Sequence, residues 1–140
     1  MSLWILDTDH VSLFQNDHPV VRQRVNATNR EEIAVTIITF EEQVYGRLNR
    51  IRRANSGDAL ISAYAKLAAI LNYFKTVNVI DFDQDACNCY AELVRQRVRI
   101  GTQDLRIAAT VISRNGTLVT RNRRDFERVP GLVFEDWSIS

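Results

Sequence analysis

The sequence has no apolar run long enough to cross a bilayer, and no basic start leading into an apolar export segment. The expectation is therefore a soluble, cytoplasmic protein with no membrane partner. Cysteine is nearly absent. Cys87 and Cys89 are spaced C-x-C, which points the two thiols apart on a helix, and no further Cys or well-spaced His completes a zinc set. Neutral or buried thiols are expected. No internal repeat or low-complexity linker interrupts the 140 residues, which suffice for one domain, 1–140, with a real core. Lysine is scarce as well: with only Lys66 and Lys75 present, the other sixteen of the eighteen basic residues are arginine. The formal charge of +1 conceals this imbalance of kind. Arginine carries a rigid fork suited to phosphate oxygens. The arginines gather at Arg95, Arg97, Arg99 and Arg106, and again at Arg121, Arg123, Arg124 and Arg128.

The first apolar run, Leu3-Trp4-Ile5-Leu6, stops abruptly at Asp7-Thr8-Asp9-His10. A short continuous run bounded by polar residues reads as a strand buried in a parallel sheet. Val11 to Gln15 reads as a helical turn, and Asp17 with Pro19 as the start of a helix. Ile33 to Ile38 is a β-branched strand candidate, followed by a helix opening at Thr39. Asn55 to Asp58 breaks the chain before a long helix with Leu60, Tyr64, Leu67, Leu71 and Phe74 at helical spacing. Val77 to Ile80 is the third strand, and Asp83 is placed to cap a helix from Gln84 to Arg97. Thr102 is a candidate cap for a helix from Gln103 to Arg114, ended by Asn115-Gly116. Strands at Thr117–Thr120 and Leu132–Phe134 complete the pattern, with a loop or short helix at Asn122–Arg128 between them. Alternating strands and helices imply an α/β domain whose parallel sheet is covered on both faces.

In such sheets ligands bind beyond the carboxyl ends of the strands. Four acids fall there. Asp7 ends the first strand, Glu42 opens the helix after the second, Asp104 opens the helix before the fourth, and Asp125 follows the fourth. Four close carboxylates repel one another unless a cation sits among them. Oxygen-only donors favour Mg²⁺ or Mn²⁺, cations that share phosphate oxygens with a substrate and activate water. Each acid also has a structural reading. Thr39-x-x-Glu42 fits a capping box, Asp104 opposes a helix dipole, Asp125 suits a turn, and Asp7 is an ordinary strand-end acid.

Leu6-Asp7-Thr8-Asp9 and Ile38-Thr39-Phe40-Glu41-Glu42-Gln43-Val44-Tyr45-Gly46 resemble the first two motifs of the PIN-domain ribonucleases. Gly101-Thr102-Gln103-Asp104-Leu105-Arg106-Ile107-Ala108-Ala109 is similar to the third. Leu118-Val119-Thr120-Arg121-Asn122-Arg123-Arg124-Asp125-Phe126, continuing through Val129-Pro130-Gly131-Leu132, is similar to the fourth. The likeness runs from about Leu3 to Trp137 and is nearest to the toxin half of VapBC toxin–antitoxin pairs. The resemblance implies a three-layer α/β/α fold with a five-stranded parallel sheet. It implies a Mg²⁺- or Mn²⁺-dependent endoribonuclease that hydrolyses RNA phosphodiesters with metal-activated water, a homodimer held inactive by a cognate antitoxin. Carried over by motif, Asp7, Glu42, Asp104 and Asp125 hold the metal, with Thr8, Asp9, Thr120 and Asn122 in support. Asp9 departs from the motif, which commonly has Asn there, and Glu42 rather than Glu41 is selected by the following Tyr45-Gly46. Arg95, Arg97, Arg99, Arg121, Arg123 and Arg124 form most simply a solvated face, or else contacts for RNA or antitoxin, and Tyr64, Tyr73, Phe74 and Tyr90 are candidates for the core or for a dimer face.

Three rival readings stand beside this one. Asp7-x-Asp9-x-Val11 matches the opening motif of haloacid-dehalogenase-type phosphatases, which also need a Thr such as Thr39 and a Lys such as Lys66 or Lys75. Asp81, Asp83, Asp85 and Glu92 have calcium-loop spacing, but Ala86 replaces the glycine of the sharp turn, which rejects that reading. A PIN-like binding module without catalysis is the third. His10 and His18 are expected at surface turns.

Overall fold

In the computed structural model, which describes residues 2–140, Trp4–Leu6 forms strand β1 at the centre of a five-stranded sheet. The remaining elements follow in chain order: α1 (Thr8–Gln15), α2 (Pro19–Asn26), β2 (Ile33–Thr36), α3 (Ile37–Arg53), α4 (Gly57–Phe74), β3 (Asn78–Ile80), α5 (Gln84–Arg95), α6 (Thr102–Ser113), β4 (Thr117–Val119), α7 (Arg123–Phe126) and β5 (Phe134–Glu135). The sheet order is β3-β2-β1-β4-β5 and every pairing is parallel. The chain therefore moves outward from β1 in one direction and later returns to its other side. The gap between β1 and β4 is the topological switch point, where an open α/β sheet presents a crevice.

Alternation along the short strands sends side chains to opposite faces. Ile5 and Leu118 pack on one face with Leu93 of α5 and Ile107, Ala108 and Val111 of α6. Leu6, Val35 and Val119 pack on the other with Val11 of α1 and Trp137, bordered by Tyr73 and Phe74 of α4. Two apolar layers on one sheet give the three-layer α/β/α arrangement. The C-terminal segment closes the second face: the Trp137 ring lies 5.5 Å from that of Trp4, and its indole N–H donates to Glu135 at 2.6 Å. No helix among the described residues is long and apolar enough to cross a membrane.

Several boundaries differ from the sequence expectation, for local reasons. β2 ends at Thr36 rather than Ile38, because the Thr36 hydroxyl caps α3 by accepting the Thr39 N–H at 3.2 Å. The helix thus starts two residues before Thr39, which puts Glu42 in its second turn and removes the capping-box explanation for that acid. α1 starts at Thr8, capped by Asp7, rather than near Val11. Gly101, not Thr102, is the cap residue of α6. β5 shifts to Phe134–Glu135, where Val119 pairs with Glu135. Of the two thiols, expected to be neutral or buried, Cys87 is exposed and Cys89 half-buried. Of the four aromatic residues proposed for a dimer face, Tyr64 is exposed, whereas Tyr73 and Phe74 pack edge to face beside the sheet and Tyr90 packs against Phe82.

Candidate active site at the sheet edge

A cleft of about 490 Å³ opens at the switch point, lined by Asp7, Thr8, Asp9, Ser12, Glu42, Asp104, Arg121, Asn122 and Phe126. Asp7 is fixed most tightly. Its amide extends the ladder to the Val119 carbonyl at 3.0 Å, and its Oδ1 accepts the His10 N–H at 2.7 Å as the cap of α1. The side chain is nearly buried, so one oxygen serves the helix and the carboxylate is held rigidly at the edge of β1.

Glu42 comes from α3. Its Oε1 accepts the Thr8 hydroxyl at 2.6 Å, and the two threonine hydroxyls of Thr8 and Thr39 lie 3.0 Å apart. Thr8 thus supports the second acid rather than the first. Glu41 turns away and accepts from Gln103 at 2.8 Å, which leaves Glu42 as the α3 carboxylate of the cleft. Buried Gln43 ties α3 to α1 through Ser12 and Gln15, crosslinking the elements that carry Asp7 and Glu42.

Asp104 sits in the first turn of α6. Burial, followed by the negative charges of Glu42, Asp7 and Asp125, pushes its carboxyl up from 3.8 to about 6. That shift is the electrostatic signature of four acids gathered from four separate stretches of chain. Asp125 reaches the cluster from α7. Its Oδ2 accepts the Asn122 amide at 3.0 Å, and Asn122 Oδ1 in turn caps α7. Thr120 bonds no acid; its hydroxyl accepts the Asn122 N–H at 3.0 Å and shapes the turn.

Asp7, Asp9 and His10 also bring one potential ligand atom each within 4.8 Å of one another. This trio is a poor cation site. His10 is fully buried, its Nε2 accepts the Trp137 N–H at 3.3 Å, and its Nδ1 lies 3.3 Å from Asp7 Oδ1. Both nitrogens face the protein. Asp9 is taken by Arg121, whose Nε donates at 2.6 Å and Nη2 at 3.2 Å. The quartet Asp7, Glu42, Asp104 and Asp125 offers only hard oxygen donors and an uncompensated charge, which fits a divalent cation such as Mg²⁺ or Mn²⁺.

Of the six arginines singled out from the sequence, Arg121 lines the cleft. Arg95 donates to Glu92 at 2.8 Å and Arg123 lies 3.6 Å from Glu127, while Arg97, Arg99 and Arg124 are exposed. Sequence reasoning missed His10, expected at a surface turn, and did not place Ser12 or Phe126 in the cleft. The signal for His10 was present: a residue three after a strand-end cap faces back toward it. Lys66 and Lys75 are exposed on and just after α4 and do not line the cleft, so the phosphatase reading lacks its lysine.

A three-layer α/β/α sheet with carboxylates gathered at its switch point defines a class of α/β proteins whose crevice offers hard oxygen donors suited to a divalent cation. Sequence comparison narrows the class. The PIN domain model matches residues 5–132. The tRNA(fMet)-specific endonuclease VapC of Shigella flexneri is 33% identical over 99% of this chain and 100% of its own length. The protein of the same name from Salmonella typhimurium is 30% identical over 98% and 99%. The DNA-bound VapBC structure from Salmonella typhimurium superposes with a TM-score of 0.79, at 30% identity, covering 98% of this chain and 99% of that one. The chain belongs to the PIN domain family, and within it to the VapC-type toxin ribonucleases.

Proposed function

We propose that this chain is a Mg²⁺- or Mn²⁺-dependent endoribonuclease in which Asp7, Glu42, Asp104 and Asp125 hold the metal. One observation carries the reading: the Asp104 carboxyl is raised to about 6 by burial and by the other three acids, so the cluster is electrostatically incomplete without a cation. A divalent cation held by these four carboxylates would lower the pKa of a bound water and offset charge on an RNA phosphodiester. The chain's own groups do the positioning. Asp7 is fixed by the α1 cap, Glu42 by Thr8, and Asp125 by Asn122, so three of the four carboxylates that would hold a cation are already oriented by the protein. Phe126, the buried last residue of α7, anchors that wall of the cleft to the core.

The partners follow from the same reading: an RNA substrate, a cognate antitoxin and a second copy of the chain. Tyr45 and Leu48 of α3 and Leu60, Ile61, Tyr64 and Leu71 of α4 are each exposed apolar side chains on two helices that pack together, which supports coverage of this pair by a protein chain. The exposed Arg97, Arg99 and Arg124 supply charge for RNA or for an acidic antitoxin segment.

The experiment is cleavage of an end-labelled RNA pool with Mg²⁺ or Mn²⁺, comparing wild type with Asp104→Asn. Loss of cleavage on chelation and in Asp104→Asn is expected. A folded, antitoxin-free wild type that cleaves no RNA with either metal refutes the nuclease reading and leaves a binding module.

A further inference from the structure

The cleft wall is set against its substrate. Asp7, Asp9, Glu42 and Asp104 line it, and Arg121 is its one basic residue. An RNA backbone carries a negative charge at every phosphate, so an acidic cleft repels the flanking nucleotides even when a cation is bound. Arg121 stands where it can offset that repulsion. It leaves the chain just after β4, crosses the switch point, and meets Asp9 in the first turn of α1. Both side chains are about half exposed, 51% and 44%, which places the pair at the rim and not in the floor.

The geometry of the pair matters. Asp9 takes the Nε and Nη2 hydrogens of the guanidinium at 2.6 and 3.2 Å, and Nη1 has no hydrogen-bond partner among the described residues. A guanidinium has a second two-hydrogen edge, between Nη1 and Nη2, that matches two oxygens of a phosphate. Asp9 therefore orients one edge and leaves the other for an incoming anion. An exposed ion pair contributes little to stability, so its value lies in where it holds the guanidinium. Without Asp9, the guanidinium is free to swing toward Asp7 and the metal-binding acids.

From this arrangement, and resting on the nuclease reading above, we infer that Arg121 binds a backbone phosphate of the RNA beside the scissile bond and that Asp9 is its positioning residue, not a fifth metal ligand. Asp9 then explains itself as part of a pair: the additional negative charge in the first motif is matched by a positive charge in the fourth.

The test uses five forms of the protein: wild type, Asp9→Asn, Arg121→Ala, Arg121→Lys and the Asp9→Asn/Arg121→Ala double variant. Mn²⁺ affinity, read by electron paramagnetic resonance without RNA, is expected to be equal in Arg121→Ala and the double variant. A tenfold or greater weakening in the double variant relative to Arg121→Ala makes Asp9 a ligand and overturns the inference. Cleavage of the labelled RNA pool is read as a function of salt. Arg121→Ala is expected to raise KM more than it lowers kcat, and to flatten the dependence of log(kcat/KM) on log[salt] by about 0.7, the value of one lost phosphate contact on a single strand. Arg121→Lys is expected to restore the salt slope but only part of the KM, because a lysine keeps the charge and loses the fork. Asp9→Asn is expected to raise KM when Arg121 is present and to add nothing when it is absent. An unchanged KM and salt slope in Arg121→Ala, with wild type cleaving normally, overturns this inference alone. A wild type that cleaves no RNA overturns the nuclease reading on which it rests.

Discussion

Replacing Asp104 with Asn separates the stability of the site from its function, because the two are expected to move in opposite directions. Asp104 holds its proton up to about 6 in the folded chain against 3.8 ordinarily, owing to burial and then to Glu42, Asp7 and Asp125. At about 1.4 kcal/mol per pKa unit this amounts to at most about 3 kcal/mol of destabilisation when the group is ionised. The carboxyl is only partly buried, and solvent screening reduces the figure to about 1–2 kcal/mol. The folded state binds the proton more tightly than the unfolded one. The contribution is therefore absent below about 4, stability falls as pH rises from 3.8 to about 6, and the full destabilisation is present above that window. Asp104→Asn removes it. Without metal at pH 7.5 the variant is expected to melt about 3–6 °C above wild type, and at pH 4 the two are expected to coincide. Addition of Mn²⁺ is expected to raise the wild-type Tm and to leave the variant nearly unmoved. Differential scanning fluorimetry at the two pH values, with and without Mn²⁺, reads all four conditions. An Asp104→Asn variant no more stable than wild type at pH 7.5 without metal refutes the argument that the four carboxylates repel one another across the cleft.

Thr8→Val keeps the shape of the side chain but removes the hydroxyl that donates to Glu42 at 2.6 Å, and is expected to weaken Mn²⁺ binding about 10-fold while changing Tm little. Titration calorimetry checks it. His10→Ala deletes a fully buried ring beside Asp7 and leaves the Trp137 N–H without its acceptor, with an expected cost of about 2–4 kcal/mol in urea unfolding. Gly116→Ala adds a Cβ 3.0 Å from Ile5 Cδ1 and 3.2 Å from the Leu3 carbonyl oxygen. The entry to β4 has to shift against β1, and a loss of about 1–3 kcal/mol is expected in the same assay.

The parallel α/β architecture was legible in the sequence because it depends on local pattern: short β-branched runs, helical spacing of apolar residues, and breaks such as Asn55–Asp58 and Asn115–Gly116. The four acids were legible for the same reason, each at the end of an element whose position in a parallel sheet is set by chain order. Boundaries were less so. Thr36, reading as one more β-branched strand residue, instead caps α3, and no periodicity distinguishes those two uses of a threonine. Partners across the chain were not legible. Thr8 lies beside Asp7 in sequence but bonds Glu42, 34 residues away. His10 is polar and near a turn, yet Trp137 closes over it from 127 residues away, and Asp9 meets Arg121 across 112. Local sequence determines which element forms and which end each acid occupies, because those depend on backbone sterics and burial over a few residues. Which hydroxyl, imidazole or guanidinium each acid meets is decided only when β1 is laid between β2 and β4 with β5 beyond, since those pairings bring α1 against α3, α7 and the C-terminal segment.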